Sequence, residues 1–129
     1  MRHKLKGRKL NRSGAHRKAL GRNLFRALIT HHRIETTPEK AKHYRSMAEK
    51  LITLAKNNTL ANIRRAMAEV PDKTVIKKLF DEIGPHFKDR PGGYTRIVRL
   101  AKNRLGDNGG RAIWELVGMT KATPEEVDA

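Results

Sequence analysis

The chain has 129 residues, with 29 Lys and Arg against 13 Asp and Glu, and a formal net charge of +16. That length suits one domain with a modest core, and the charge favours a polyanionic partner: nucleic acid first, since each neutralised phosphate releases counterions, and an acidic membrane surface second. Without cysteine there are no disulfides or thiolate metal sites, and no apolar run approaches the roughly eighteen residues that span a bilayer.

The charge is unevenly placed. Residues 1–34 carry eleven Lys or Arg and no carboxylate, whereas residues 35–129 carry 18 basic and 13 acidic side chains. The opening MRHKLKGRKLNR offers only Met1, Leu5 and Leu10 as sizeable apolar groups. It cannot offset a backbone ordering cost of roughly 1–2 kcal/mol per residue, so residues 1–12 are expected to form an extended arm that orders on a partner. Arg2, Lys4, Lys6, Arg8, Lys9 and Arg12 supply its charge. Deleting residues 2–12 should then weaken binding while leaving the domain's melting temperature nearly unchanged. The start lacks the apolar stretch and small-residue cleavage site of a secretory signal. An Arg-rich, acid-poor start is shared with mitochondrial presequences, but here the basic character continues into a patterned helix.

That helix is expected from about Gly14 to His31, with Ser13 able to accept an orphan backbone N–H at its start. At 100° per residue Lys18, Arg22 and Arg26 share one face, while Leu20, Leu24, Ala27 and Leu28 lie opposite and Phe25 and Ile29 fall near the basic edge. Arg33 to Thr37 reads as a brief strand. Thr36-Thr37-Pro38-Glu39 then starts a second helix, either as a capping box from Thr36 or with Thr37 as cap and Pro38 first in the helix. Its apolar positions Ala41, Tyr44, Ala48, Leu51, Ile52 and Ala55 keep register to about Lys56.

After the Asn57-Asn58 turn, Leu60, Ile63, Met67 and Val70 predict a third helix. Pro71 ends it, and Asp72 can cap a fourth carrying Val75, Ile76, Leu79, Phe80 and Ile83, which Gly84-Pro85 stops or kinks. Asp89 to Gly93 is a loop. Tyr94 to Leu100 and Arg111 to Val117 are β-branched and aromatic, so two antiparallel strands are expected, joined through Gly106–Gly110, with Ile34–Thr37 as a candidate third. From residue 119 periodicity stops and acids accumulate. The expected fold is α+β in two layers: a basic arm (1–12), one domain (13–118) and an acidic, mobile tail (119–129).

No catalytic constellation emerges. His31-His32 with Glu35 nearby suggests a metal only superficially, because neighbouring helical residues point about 100° apart and nothing completes the coordination set. Gly106–Gly110 lacks the ending and context of a phosphate loop, Asp107 suits the turn, and Asp81-Glu82 suits a solvated helix face. No metal or cofactor is expected. The chain has six aromatic residues. Tyr44, Phe80 and Trp114 sit at core-like positions, leaving at most Phe25, Phe87 and Tyr94 for base stacking. The balance favours phosphate and shape recognition. In RPGGYTR (90–96), glycines permit close backbone approach to a phosphate while Arg90, Arg96 and Arg99 supply charge, although a plain connector into a strand fits the spacing equally well.

The ordered series MRH at the start, KLNR (9–12), HR (16–17), TTPEKAK (36–42), LITLAK (51–56), KLFDEIGPHF (78–87), GGYTRI (92–97) and GDN (106–108) resembles the family of the seventeenth protein of the bacterial large ribosomal subunit. The resemblance runs from Met1 to about Val117. It implies an α+β domain embedded in ribosomal RNA, near the exit side of the peptide tunnel and beside other ribosomal proteins, in a non-catalytic, cytoplasmic, ribosome-bound role. It places Arg2, His3, Lys4, Arg8, Lys9, Asn11, Arg12, His16 and Arg17 in an N-terminal RNA-contacting motif. Tyr94, Thr95 and Arg96 fall in its glycine-rich motif. GGRAIW (109–114) and the acidic tail depart from the family pattern, and no RNA contact is carried onto either.

The expected partners are large-subunit ribosomal RNA, met by the arm, by Lys18, Arg22 and Arg26 and by the Arg90 loop, together with neighbouring ribosomal proteins. No homo-oligomer is expected. A free-standing DNA-binding or nucleoid protein is the second reading, and an RNA-modifying or RNA-cleaving enzyme the third.

Overall fold

Ser13 Oγ accepts the His16 N–H at 3.3 Å and so starts α1 (Gly14–His31), the local signal acting as its chemistry dictates. In the computed structural model, which describes residues 8–119, α1 ends at His32, whose left-handed backbone (φ 63°) sends its N–H back to Leu28 O at 2.7 Å. The strand β1 (Arg33–Thr36) follows, then α2 (Pro38–Ala55). Of the two possible caps it is Thr37 that accepts the Lys40 N–H, with Pro38 in the first turn. Thr59 caps α3 (Leu60–Glu69), and Asp72 caps α4 (Lys73–Lys78) by accepting from both Thr74 and Val75.

Gly84-Pro85 neither simply ends nor sharply kinks the fourth helix. Beyond Lys78 the helix widens into a π-helical turn, Leu79–Ile83, in which the Gly84 N–H bonds to Leu79 O, five residues back. Proline lacks an N–H and its ring crowds the carbonyl four residues earlier, so a widened turn before Pro85 relieves the clash. A final turn, α5 (Gly84–His86), leads through a loop to β2 (Thr95–Arg99) and β3 (Ala112–Leu116).

The sheet has three antiparallel strands in the order β1-β3-β2, so the last strand lies in the middle. Its register sets Ile34, Trp114 and Ile97 side by side on one face, and Arg33, Glu115 and Arg96 on the other. Helices α1 and α2 cover the first face, burying Trp114 and Leu116 completely. The outer row is ionic: Glu115 is only 4% exposed because Arg33 lies 3.7 Å away on one side and Arg96 pairs with it on the other.

Three expectations change. The buried stripe of α1 is Gly21, Phe25, Leu28 and Ile29, while Leu20 and Leu24 are only partly buried. The wheel set Phe25 and Ile29 beside the cations, and the core lies on that side because the stems of Arg22 and Arg26 border it. On α3 the inward positions are Ile63, Ala66 and Met67, followed by Val70, whereas Leu60 is 62% exposed. Residues 9–12, expected as extended arm, form a turn closed by Arg12 N–H on Lys9 O at 3.1 Å, with Leu10 packed on the core.

Candidate nucleic-acid interface

The arm meets the domain where α1 crosses α2. At this crossing a Cβ on Gly21 would stand 2.7 Å from the Tyr44 ring, so glycine allows the helices to approach. Tyr44 donates its hydroxyl to Arg17 O at 2.7 Å. Burial pushes the Tyr44 phenol above its usual range, against the opposing pull of the Arg12 and Arg17 guanidinium groups. Its neighbour His43 stands edge-on to it, ring centroids 4.6 Å apart, and accepts the Arg8 backbone N–H on Nδ1 at 3.1 Å.

The cations assigned to RNA separate into two groups. Arg2, His3, Lys4 and Lys6 lie outside the described residues. Arg8, Lys9, Asn11, His16 and Lys18 are exposed and cluster around the base of the arm. Arg12 and Arg17 are half-buried and donate to backbone: Arg12 Nη1 to Leu10 O at 2.7 Å, Arg17 Nη1 to Arg12 O at 2.8 Å. Arg22 and Arg26 reach across to the helix junction beyond α3. Arg22 Nε donates to Glu69 O at 2.7 Å, and Arg26 Nε lies 3.4 Å from Asp72, the cap of α4. The face expected to be free for phosphate therefore ties three helices together, leaving Lys18 the most available of its cations.

The glycine-rich segment divides similarly. Gly92 and Gly93 take backbone angles (φ 147° and 61°) that side chains rarely adopt, and neither has an atom within 4 Å of a Cβ position. Arg90 is exposed, with Nη1 donating to Gly93 O at 3.2 Å. Tyr94 and Thr95, by contrast, are buried. The Tyr94 hydroxyl accepts from Thr53 and Lys56, each at 3.2 Å, and Lys56 also donates to Arg90 O at 2.7 Å. Thr95 donates N–H and hydroxyl to Glu49, which Arg45 also meets at 3.3 Å. These two residues shape the loop from within, while Arg96 presents a mostly exposed side chain beside Glu115.

All six aromatic side chains are buried, including Phe25, Phe87 and Tyr94. The described surface thus offers no Phe, Tyr or Trp ring for base stacking. His43 and Tyr44 hold the arm's base, yet the sequence marks Tyr44 only as a core-like helix position and does not single out His43, because their contacts are made to segments 27 or more residues away.

Elsewhere, the β2–β3 connection is braced by Arg104 on Asp107, Gly109 N–H on Asp107 Oδ1 at 3.0 Å and Asn103 on Asn108 at 3.2 Å, with Leu105 98% exposed at its tip. Arg104 holds the Asp107 carboxyl far below the usual range, and Arg111 likewise lowers Glu35. Among the described residues no three His, Asp or Glu side chains are placed to hold a metal ion, and no helix is long and apolar enough to cross a membrane.

The profile of the family described as Ribosomal protein L17 matches residues 20–117. The large ribosomal subunit protein bL17 of Maridesulfovibrio salexigens is 50% identical over 129 residues, covering 100% of this chain and 92% of its own. The bL17 protein of Halothermothrix orenii is 54% identical over 110 residues, 85% of this chain and 96% of its own. With an α+β core of the expected order and a match that spans nearly every described element, the chain belongs to the ribosomal protein L17 family.

Proposed function

We propose that this protein is a structural, non-catalytic constituent of the bacterial large ribosomal subunit. It binds ribosomal RNA through phosphate-backbone and shape contacts of its basic arm and the adjoining end of α1. The observation that carries this reading is the similarity, over the whole of this chain, to the large ribosomal subunit protein bL17 of Maridesulfovibrio salexigens. The acid-free run of 34 residues supplies the electrostatics, and the burial of every Phe, Tyr and Trp favours backbone over base-stacking contacts.

The contact set is Arg2, His3, Lys4, Lys6, Arg8, Lys9, Asn11, His16 and Lys18, with Arg90 and Arg96 as a second point of attachment. Arg22 and Arg26 contribute field from half-buried positions. Neighbouring ribosomal proteins meet the remaining surface of the domain, at residues 13–118, and no homo-oligomer forms.

The test is competition at physiological salt between protein-free large-subunit RNA and random duplex DNA. Preference for the RNA by a factor of 10³ or more is the expected result, on the scale that separates specific from nonspecific nucleic-acid binding. Equal affinity would show a nonspecific polyanion binder instead. Co-sedimentation with large subunits through a high-salt wash is the companion measurement.

A further inference from the structure

Leu10 has φ 52° and Asn11 φ 55°, consecutive left-handed residues without a glycine. A leucine in that region is uncommon and strained, so the surroundings must hold it there. The holding contacts form a ladder. Arg12 Nη1 grips Leu10 O, Arg17 Nη1 grips Arg12 O, and Tyr44 Oη grips Arg17 O. The Leu10 side chain packs on the core, and the Arg8 N–H is fixed on His43. The first step closes the turn on itself, and the others tie it to α1, α1 to α2, and Arg8 to α2.

We infer that Arg12 and Arg17 are positioning residues that brace a strained turn at Leu10-Asn11 and thereby aim the RNA-binding arm before RNA is met. This rests on the RNA-binding reading above and changes the roles of two residues within it. Their guanidinium groups are committed to backbone carbonyls inside the protein. What they give binding is a fixed exit point at Arg8 and a smaller loss of freedom on association. Lys9 and Asn11 are displayed outward by the same turn, with His16 exposed beside them in the first turn of α1.

Two variants of the full-length protein test this against protein-free large-subunit RNA. Arg17→Gln removes a brace and one positive charge. Insertion of Gly-Gly between Arg12 and Ser13 retains every cation but uncouples the turn from α1. In the free protein, Arg17→Gln is expected to speed hydrogen exchange at the Arg8 and Arg12 amides. Both variants should bind about fivefold more weakly, because ordering falls on the binding step. The slope of log affinity against log salt should stay at the wild-type value for both.

A slope reduced by about 0.7–0.9 in Arg17→Gln, with amide exchange unaltered, would show a direct phosphate contact and overturn the inference. So would an insertion variant within twofold of wild type, which also decides the matter if Arg17→Gln fails to fold. Failure of the wild type to prefer the RNA over random duplex DNA would overturn the RNA-binding reading and this inference together. Wild-type preference combined with either adverse variant result would overturn the inference alone.

Discussion

Gly84 sits where no side chain fits: a Cβ there would lie 2.7 Å from the carbonyl carbon of Ala55, with that residue's oxygen closer still. Backbone at the end of α2 cannot turn aside, whereas the Tyr44 ring that a Gly21 Cβ would strike at 2.7 Å can shift. Gly84→Ala should therefore destabilise by about 2–3 kcal/mol and Gly21→Ala by about 1 kcal/mol, an order checked by urea unfolding. His32 offers a pH signature. Burial, with Lys78 and His86 adding to it and Glu82 opposing, holds its ring below the ordinary 6.5. As pH falls past that ordinary value the unfolded chain takes up the proton first, so stability should decline and level off once the folded ring is protonated. His32→Gln should flatten that part of the profile in melts between about pH 7.5 and pH 5. At this scale the sequence was legible where chemistry is local. Ser13 and Asp72 cap the helices they precede, and of the two threonines that the sequence offers before Pro38 it is Thr37 that caps α2. It was illegible where a side chain meets distant backbone: nothing near Arg22 announces Glu69 O, and nothing near Tyr94 announces Lys56.

Among the elements, β3 contributes Trp114, fully buried between Ile34 and Ile97. Trp114→Ala should cost about 3–5 kcal/mol. Trp114→Phe should cost clearly less, because the indole N–H it removes has no hydrogen-bond partner among the described residues. Thermal melts of the two variants separate these outcomes. The arm makes a contrasting case. Deleting residues 2–7 should leave the melting temperature nearly unchanged. Deleting residues 2–12, expected from the sequence to be equally neutral, also removes Leu10 from the core and the carbonyl that Arg17 grips, and should instead lower it by several degrees, roughly the effect of 1 kcal/mol in a domain of this size. Helix and strand order could be read from helical spacing bounded by caps and turn residues, and near the end from β-branched and aromatic runs either side of a glycine-rich turn. The inward side of α1 could not. Residues 22, 25, 26 and 29 recur at helical spacing, so cations and core share one side, and only the helix packed against them decides which dominates.

Over the whole molecule, positive charge is divided between attraction and architecture. A charge of +16 opposes compaction, yet the arginines nearest the core answer carbonyls and carboxylates: Arg22 on Glu69 O, Arg26 on Asp72, Arg33 and Arg96 on Glu115, Arg111 on Glu35. The cations left to outside partners lie mainly around the arm. Charge-neutralising changes there should act differently from those on the domain. Lys9→Gln or Lys18→Gln should each lower the salt slope of RNA binding by about 0.7–0.9 with little change in stability. Arg26→Gln should chiefly lower stability by about 0.5–1 kcal/mol, since its ion pair is part-exposed. Filter binding across a salt series, paired with melts, distinguishes the two classes.

The strand order β1-β3-β2 also sets a timetable for biosynthesis. A chain emerging from its own synthesis has every described helix by residue 86 and both outer strands by residue 99, yet those strands are not neighbours and cannot bond to each other. The sheet waits for Ala112–Leu116 to be made and inserted between them. Until then the apolar sides of α1 and α2 have no Trp114 to cover them, while the basic arm has already emerged. The nascent chain can therefore engage an anionic surface before its own fold has closed.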